Sequence, residues 1–303
     1  MSAMIDLETL HTFQTVVEEG SFSAAARRLG VTQPAVSQAI ESLERYLGTA
    51  LFQRLGRSVR LTEAGQVLVP LANELLASAC RLENTLRSLP GEVAGEMTIG
   101  CSTTSGKYLL PSLVARFRQV HPQARLNVLV SGRNVVIERV LNGEYGLGVA
   151  SKRIEHTNLE YRPFYRDEVI LIAPVAHRWG RYPQIFPDDL LDEPLILREH
   201  SAGTREVLLE SLRQVDINPE LLNVVMTLGN TEAIVMAVEE GIGIAFVSRL
   251  AAARSLEMGR VVEVQVKGMQ LHRDLYMFRN RRLPVGRLQD AFWEFAAEQV
   301  AAP

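Results

Sequence analysis

The sequence predicts an α+β multidomain chain: a small helical domain with a hairpin, one long helix, and a larger C-terminal α/β part. Three observations carry this. Two short amphipathic helices in the first 62 residues are joined by only Gly30-Val31-Thr32. A heptad pattern then runs from Leu68 to Leu89, and strands and helices alternate from Met97 onward. At 303 residues the chain exceeds one ordinary core, so two or three domains are expected.

Taken in order, Leu7, Leu10, Phe13, Val16 and Val17 recur at helical spacing and stop at Gly20. Ser21 or Ser23 can cap a second helix, SAAARRL, ending at Gly30. Thr32 caps a third, from Gln33 to about Leu47, with Pro34 in its first turn where a missing N–H costs little. Small Ala24, Ala25 and Val36 let the second and third helices pack closely, the geometry of a helix-turn-helix. LFQR and SVRLT, around Leu55-Gly56-Arg57, form a short hairpin wing.

Leu68, Ala72, Leu75, Ala79, Leu82, Leu86 and Leu89 alternate by four and three residues. Such an a/d seam predicts pairing with a second copy of the helix, burial against the chain's own domain being the alternative. Pro90-Gly91 and Gly95 punctuate a linker. Beyond it come MTIGCS, a helix near Lys107–Val120, RLNVLVSG, a helix around Val135–Leu141 and LGVAS. EVILIAP, PLILRE, a helix after Thr204, NVVMTLG, a helix from Thr231 to Glu240 and GIAFVS follow. This alternation predicts parallel sheets.

Composition removes several classes. No run of about 18 apolar residues is present, so no membrane partner is expected. The start, MSAMIDLETLHTF, has no cationic leader, and a cytoplasmic location is expected. Cys80 and Cys101, the only cysteines, sit in different elements, which argues against a disulfide framework or cysteine metal site. No histidine shares metal-ligand spacing with another, and no P-loop, dinucleotide fingerprint or nucleophile elbow occurs. Catalytic residues, metal and cofactor are therefore not expected; an enzyme or a solute-binding protein on the same scaffold is the weaker reading.

The net charge of −3 does not suit nucleic acid, but Arg45, Arg54, Arg57 and Arg60 form a local cluster with no acid among them. A solvated basic surface is the competing reading. Gln33, Ser37 and Gln38 share the N-terminal part of one helix face; Gln can address adenine twice, and Ser a base or a phosphate. Arg54 can reach phosphate or a minor groove, while Arg57, Ser58 and Arg60 suit backbone contacts. In the α/β part three strand-to-helix turns offer hydroxyls and free N–H groups to an anion. These are Cys101-Ser102-Thr103-Thr104-Ser105-Gly106-Lys107, Ser201-Ala202-Gly203-Thr204-Arg205, and Gly229-Asn230-Thr231. Each alone also suits simple capping. Arg133 and Asn134 can add a side wall, and Gly148-Val149-Ala150-Ser151 a hinge or wall.

The stretch FxxVVEEGSFSAAARRLGVTQPAVSQAIESLERYLGTALFQR from Phe13, and RxxRLTEAG from Arg57, resemble the LysR-type transcriptional regulator family. The resemblance extends through His121-Pro122 to LGNTEAIVMAVEEGIGIAFVS. It implies a winged helix-turn-helix, a long dimerisation helix, and a two-lobed periplasmic-binding-protein-like domain holding an effector between lobes. Homodimers, and tetramers on double-stranded operator DNA, are implied with it. By the family pattern Gln33, Pro34, Ser37 and Arg54 contact DNA, while Gln38 stands where many members carry Arg. The segments around Thr103, Gly106 and Tyr108, with REHSAGTRE and LGNTEA, look most like the sulfur-assimilation branch and are similar to carbon-fixation regulators. The resemblance thus implies a small anionic effector, a sulfur oxyanion or a phosphorylated metabolite. Where members often carry Asp before LG, this chain has Gly146. The domains expected are 1–62, 63–90 and 91–303, with one lobe near 95–165 and 268–303 and the other near 166–267.

Overall fold

The computed structural model describes residues 5–55, 58–87, 93–181 and 184–300, but not the side chains of Arg54, Leu55, Ser58, Arg81, Asn84, Thr85, Arg87, Gln299 and Val300. The chain divides into two compact units, Met1–Gly91 with Leu141–Glu144, and Glu92–Val140 with Tyr145–Pro303.

In the first unit, α1 (Leu7–Glu19) begins where the Asp6 carboxylate accepts from Thr9 N–H at 2.6 Å. Thr9 lowers the Asp6 pKa. The short α2 (Phe22–Leu29) ends at Gly30, whose φ of 68° is the left-handed conformation that reverses the chain at least cost. Thr32 caps α3 (Gln33–Leu47) through Ala35 N–H at 3.4 Å. Leu10, Phe13, Val16, Ala25, Ala26, Val36, Ile40 and Leu43 converge in one core. The wing, β1 (Phe52–Leu55) and β2 (Ser58–Leu61), is an antiparallel pair with Phe52 opposite Leu61. Phe52 anchors it, its ring 5.4 Å from Phe13 and 5.7 Å from Phe22.

Along the long helix α4 (Glu63–Arg87) the a/d positions divide between the two alternatives the sequence left open. Ala72 is fully buried in the core of its own unit, with Leu68 packed against it. A small side chain there lets α4 lie close over α1, so the first seam positions are consumed within the chain. Leu75, Leu82 and Leu86 are more than half exposed (52%, 62% and 57%), and Leu89 lies outside the described residues.

The second unit opens with β3 (Gly95–Cys101), a π-helical turn (Ser105–Leu109), α5 (Leu110–Val120), β4 (Ala124–Val130), α6 (Arg133–Leu141) and β5 (Leu147–Ala150). The long β6 (Leu159–Pro174) leads to β7 (Gln184–Ile185), β8 (Leu195–Arg198), α7 (Gly203–Gln214), β9 (Val224–Leu228) and α8 (Thr231–Glu239). Then come β10 (Ile244–Ser248), α9 (Arg249–Glu257), β11 (Val261–Val266), β12 (Leu271–Asn280) and α10 (Arg287–Val300).

Strand order is β4-β3-β5-β12-β6-β10-β8-β9, with β11 on β6 and β7 on β11. The pairs β3–β4, β3–β5, β8–β9 and β8–β10 are parallel, as alternation predicts. The sheet as a whole is mixed, which corrects the parallel expectation. β6 runs antiparallel to β10 and β12, and β12 antiparallel to β5. These two long strands pass from one lobe to the other, pairing from Leu271 opposite Val169 to Asn280 opposite Leu159. The first half of β6 is not evident in the sequence because LEYRPFY carries polar residues and Pro163.

Separate cores fill the lobes. Ile99, Phe117, Leu147, Phe164, Met277, Phe292 and Trp293 fill one. In the other, Val169 and Leu171 pack on one face of β6 with Leu208 and Leu212, while Ile170 and Ile172 face Ile234 and Val238. The alternation along the strand buries both faces, as a sheet covered by helices requires.

Candidate functional site

Two surfaces gather the residues singled out in the sequence. On α3, Val36, Ile40 and Leu43 are buried, which turns Gln33, Pro34 and Gln38 outward; Ser37 is half-buried. Gln33 Nε2 donates to Ser37 Oγ at 2.8 Å, so these two polar side chains lie side by side one turn apart. Arg54 and Ser58 occupy the wing strands by their backbone, and Arg57 lies outside the described residues. The wing is tied to α3 by Glu44, whose Oε1 accepts from the backbone N–H groups of Leu51 at 2.6 Å and Phe52 at 3.2 Å. Sequence reasoning missed Glu44; a carboxylate on the inner side of α3 was the available signal.

The second surface is a cleft of about 250 Å³ within the α/β unit. Strand ends and helix starts meet there: Ser102, Thr103 and Thr104 after β3, Ala150 and Ser151 at the end of β5, and Ser201 to Gly203 at the start of α7. Gly203 approaches Ser151 closely: a Cβ on it would stand 2.2 Å from Ser151 Oγ and 3.0 Å from Ser151 Cβ, so the serine side chain would have to move. Four expected residues do not line the cleft. Asn134 is exposed one step along α6 from Arg133, which does line it; about 100° per residue separates the two directions. Thr204 is buried behind the helix start, and its Oγ1 has no hydrogen-bond partner. Arg205 turns back to donate from Nη1 to the Arg198 carbonyl at 2.8 Å. Thr231 is buried too, accepting from Arg198 Nη1.

Arg198, Glu199 and Arg273 line the cleft without having been foreseen. Arg273 had a legible signal: in Leu271, Arg273, Leu275 and Met277 it occupies the buried face of an alternating strand. Each cleft arginine has a carboxylate partner. Arg273 binds Asp167 at 2.6 and 2.7 Å and donates to Thr104 Oγ1 at 3.0 Å. Arg198 holds both oxygens of Glu199 at 2.8 Å. Arg133 holds both oxygens of Glu206 at 2.9 and 3.1 Å. Beyond the cleft lining, Glu232 of α8 bridges to Lys107 and Tyr108 of the other lobe, both at 2.7 Å.

These contacts shift the titrations. The hydrogen bond from Arg133 holds Glu206 below the usual carboxylate range. For Glu199 and Glu232 burial is the largest single influence and acts upward. Arg198 in the first case, Lys107 and Tyr108 in the second, help outweigh it, and both carboxyls end low. Burial, then Glu232, pushes the Tyr108 hydroxyl up. Burial alone pushes Cys101 up to about 12, leaving it an inert thiol at neutral pH. Among the described residues no group of three or more His, Cys, Asp and Glu side chains is gathered to hold a metal ion. No described helix is long and apolar enough to cross a membrane. A larger hollow of about 920 Å³ lies in the second lobe beside β11 and β12, but its Arg249 is already bound by Glu168 and Glu263.

Residues 7–66 match the family described as bacterial regulatory helix-turn-helix protein, lysR family, and residues 90–301 match the LysR substrate binding domain. The chain is 36% identical over 277 residues to a probable RuBisCO transcriptional regulator of Cyanidioschyzon merolae, covering 90% of this chain and 91% of that one. It is 34% identical over 303 residues to a probable RuBisCO transcriptional regulator of Nostoc sp., covering 98% and 89%. In structure it resembles CbnR, a LysR family transcriptional regulator, with a TM-score of 0.76 at 19% identity over 98% of this chain and 99% of that one. A full-length OxyR variant from Pseudomonas aeruginosa follows the same fold, with a TM-score of 0.71 at 21% identity over 99% and 96%. Helix-turn-helix, wing, two-lobed domain and these matches agree: the chain belongs to the LysR family of DNA-binding transcription regulators with an effector-binding domain, and it is not an enzyme.

Proposed function

We propose that this regulator reads a specific operator through Gln33, Pro34, Ser37 and Gln38, positioned on the backbone by Arg54, Arg57 and Ser58. A small anionic effector in the cleft switches it. The observation that carries the effector reading is three guanidinium groups, Arg133, Arg198 and Arg273, around a hollow edged by the hydroxyls of Ser102, Thr103, Thr104 and Ser201. The low-pKa carboxylates of Glu199 and Glu206, with Asp167 paired to Arg273, keep the site's charge near balance, so specificity comes from directed donors rather than from excess positive charge.

A sulfur oxyanion and a phosphorylated metabolite both satisfy that chemistry. The relatives named as probable RuBisCO transcriptional regulators support the second, in control of carbon fixation. The exposed Leu75, Leu82 and Leu86 on α4 support a homodimer, and the family resemblance a homotetramer on DNA. Its place of action is the cytoplasm, where its DNA is.

Thermal unfolding of the purified protein against sulfite, sulfate, thiosulfate, phosphate, sugar bisphosphates and phosphoglycolate tests the reading. A ligand at 100 times its Kd adds about 2.7 kcal/mol, which raises the midpoint visibly. A rise confined to phosphate esters assigns the regulator to carbon metabolism, and one confined to sulfur oxyanions to sulfur control. No rise with any anion overturns the anionic effector.

A further inference from the structure

We infer that Glu206 is a resident competitor beside the cleft, holding the cleft-lining Arg133 in the ligand-free protein until an entering oxyanion takes that guanidinium from it. The inference rests on the anionic-effector reading above and adds the contact that binding must break.

The three cleft arginines differ in what their release would strand. Asp167 is fully buried and Arg273 is only 5% exposed; the other oxygen of Asp167 accepts from Ser248 Oγ at 2.6 Å. Separating that pair would leave a buried charge without a partner, a strongly unfavourable outcome. Arg198 is 8% exposed and is held by Thr231 and the Gly229 carbonyl as well as by Glu199, its neighbour in sequence. It cannot turn away without giving up several bonds at once. Arg133 and Glu206 are 21% and 37% exposed, so water reaches both. Exchange there leaves a carboxylate that solvent can accommodate.

The geometry already resembles a bound anion. Two guanidinium nitrogens meet two carboxylate oxygens, the fork that a phosphate or carboxylate group of a ligand would also take. A ligand binding Arg133 in this way replaces the Glu206 bonds and does not add to them. Arg133 begins α6 in one lobe, and Glu206 lies in the first turn of α7 in the other. Ligand binding through that Nη1/Nη2 fork and this link between the lobes are therefore mutually exclusive; of the pair, Arg133 lines the cleft, whereas no member of the Glu232 bridge to Lys107 and Tyr108 does. Occupancy of the cleft is converted into loss of a charged contact between lobes.

Isothermal titration of the full chain with inorganic phosphate, sulfate and phosphoglycolate tests this, using wild type, Glu206→Gln, Arg133→Gln and the double variant. Glu206→Gln is expected to bind the oxyanion roughly three- to fivefold tighter, the range an exposed ion pair can contribute. In the Arg133→Gln background the same change should have no effect, which separates competition from a general change in field. Glu210→Gln, one turn along α7 and exposed, should match wild type. If wild type binds but Glu206→Gln binds no tighter, or gains as much without Arg133, the competitor role is overturned while the anionic cleft stands. If neither wild type nor Glu206→Gln binds any of these three anions or any other of the thermal-unfolding panel, both readings fall. Glu206→Ala serves as the second variant if the glutamine form does not fold.

Discussion

Arg273 on β12 and Asp167 on β6 form a buried ion pair at 2.6 Å where the two long strands pass between lobes. Arg273 also lines the cleft, so the same guanidinium joins the strand crossing to the ligand site. Arg273→Met leaves the Asp167 carboxylate buried without its counter-charge and should cost about 3–5 kcal/mol. Combining it with Asp167→Leu should restore much of that loss. Urea unfolding of the three proteins measures it; an unchanged midpoint for Arg273→Met would falsify the structural role.

Gln33→Ala removes a donor and acceptor from the exposed first turn of α3. It should weaken binding to the preferred operator by about 1–3 kcal/mol and leave binding to random duplex nearly unchanged. Competition fluorescence anisotropy on the two DNAs gives the ratio. Equal losses on both would remove Gln33 from base reading.

Glu44→Ala strips the acceptor from the Leu51 and Phe52 N–H groups. Unpaired, such donors cost about 1–3 kcal/mol, and the wing should lose its fixed approach to α3. Hydrogen exchange should speed up at Leu51 and Phe52, with DNA affinity falling in parallel. Wild-type protection at both amides would contradict the assignment.

Gly203→Ala places a Cβ against Ser151 Oγ. Overpacking of this kind destabilises by about 1–3 kcal/mol, and Ser151→Gly should relieve it. A melting curve of the double variant no better than that of Gly203→Ala would show that the strain lies elsewhere.

Glu232 has its pKa held below the ordinary 4.5. The fold thus keeps it charged at a pH where the unfolded chain takes up a proton. Its contribution is complete above about pH 4.5 and is lost as pH falls through its folded value. Glu232→Gln should flatten that acid limb of the stability curve. A limb as steep as that of wild type would assign the loss to other carboxylates.

The legible part of the molecule is the part written locally. Thr32, Gly20 and Gly30 mark helix ends, and the four-three spacing marks α4. Ser102, Thr103, Thr104, Ala150 and Ser201 reach the cleft because strand-to-helix turns at the ends of parallel strands converge in space. Thr204, Arg205, Asn134 and Thr231 escape a linear reading for one reason: along a helix each residue turns about 100°, and neighbours of a ligand-facing position point elsewhere. Leu68 and Ala72 belong to the heptad pattern, yet period alone does not say whose surface covers them.

From its own residues the sequence determined where several elements before Ser248 begin or end, that a helix-turn-helix and wing precede a long helix, and that an α/β domain follows; α9, β11, β12 and α10 were not read from it. Tertiary structure alone decided that β6 and β12 run antiparallel through both lobes, and which charges share the cleft. Arg273 meets partners 106 and 169 residues away, Asp167 and Thr104, and Arg133 meets Glu206 across 73. Periodicity reports which face of an element is turned inward. What stands opposite that face depends on how distant segments cross, because a buried charge is stable only where the fold brings its partner.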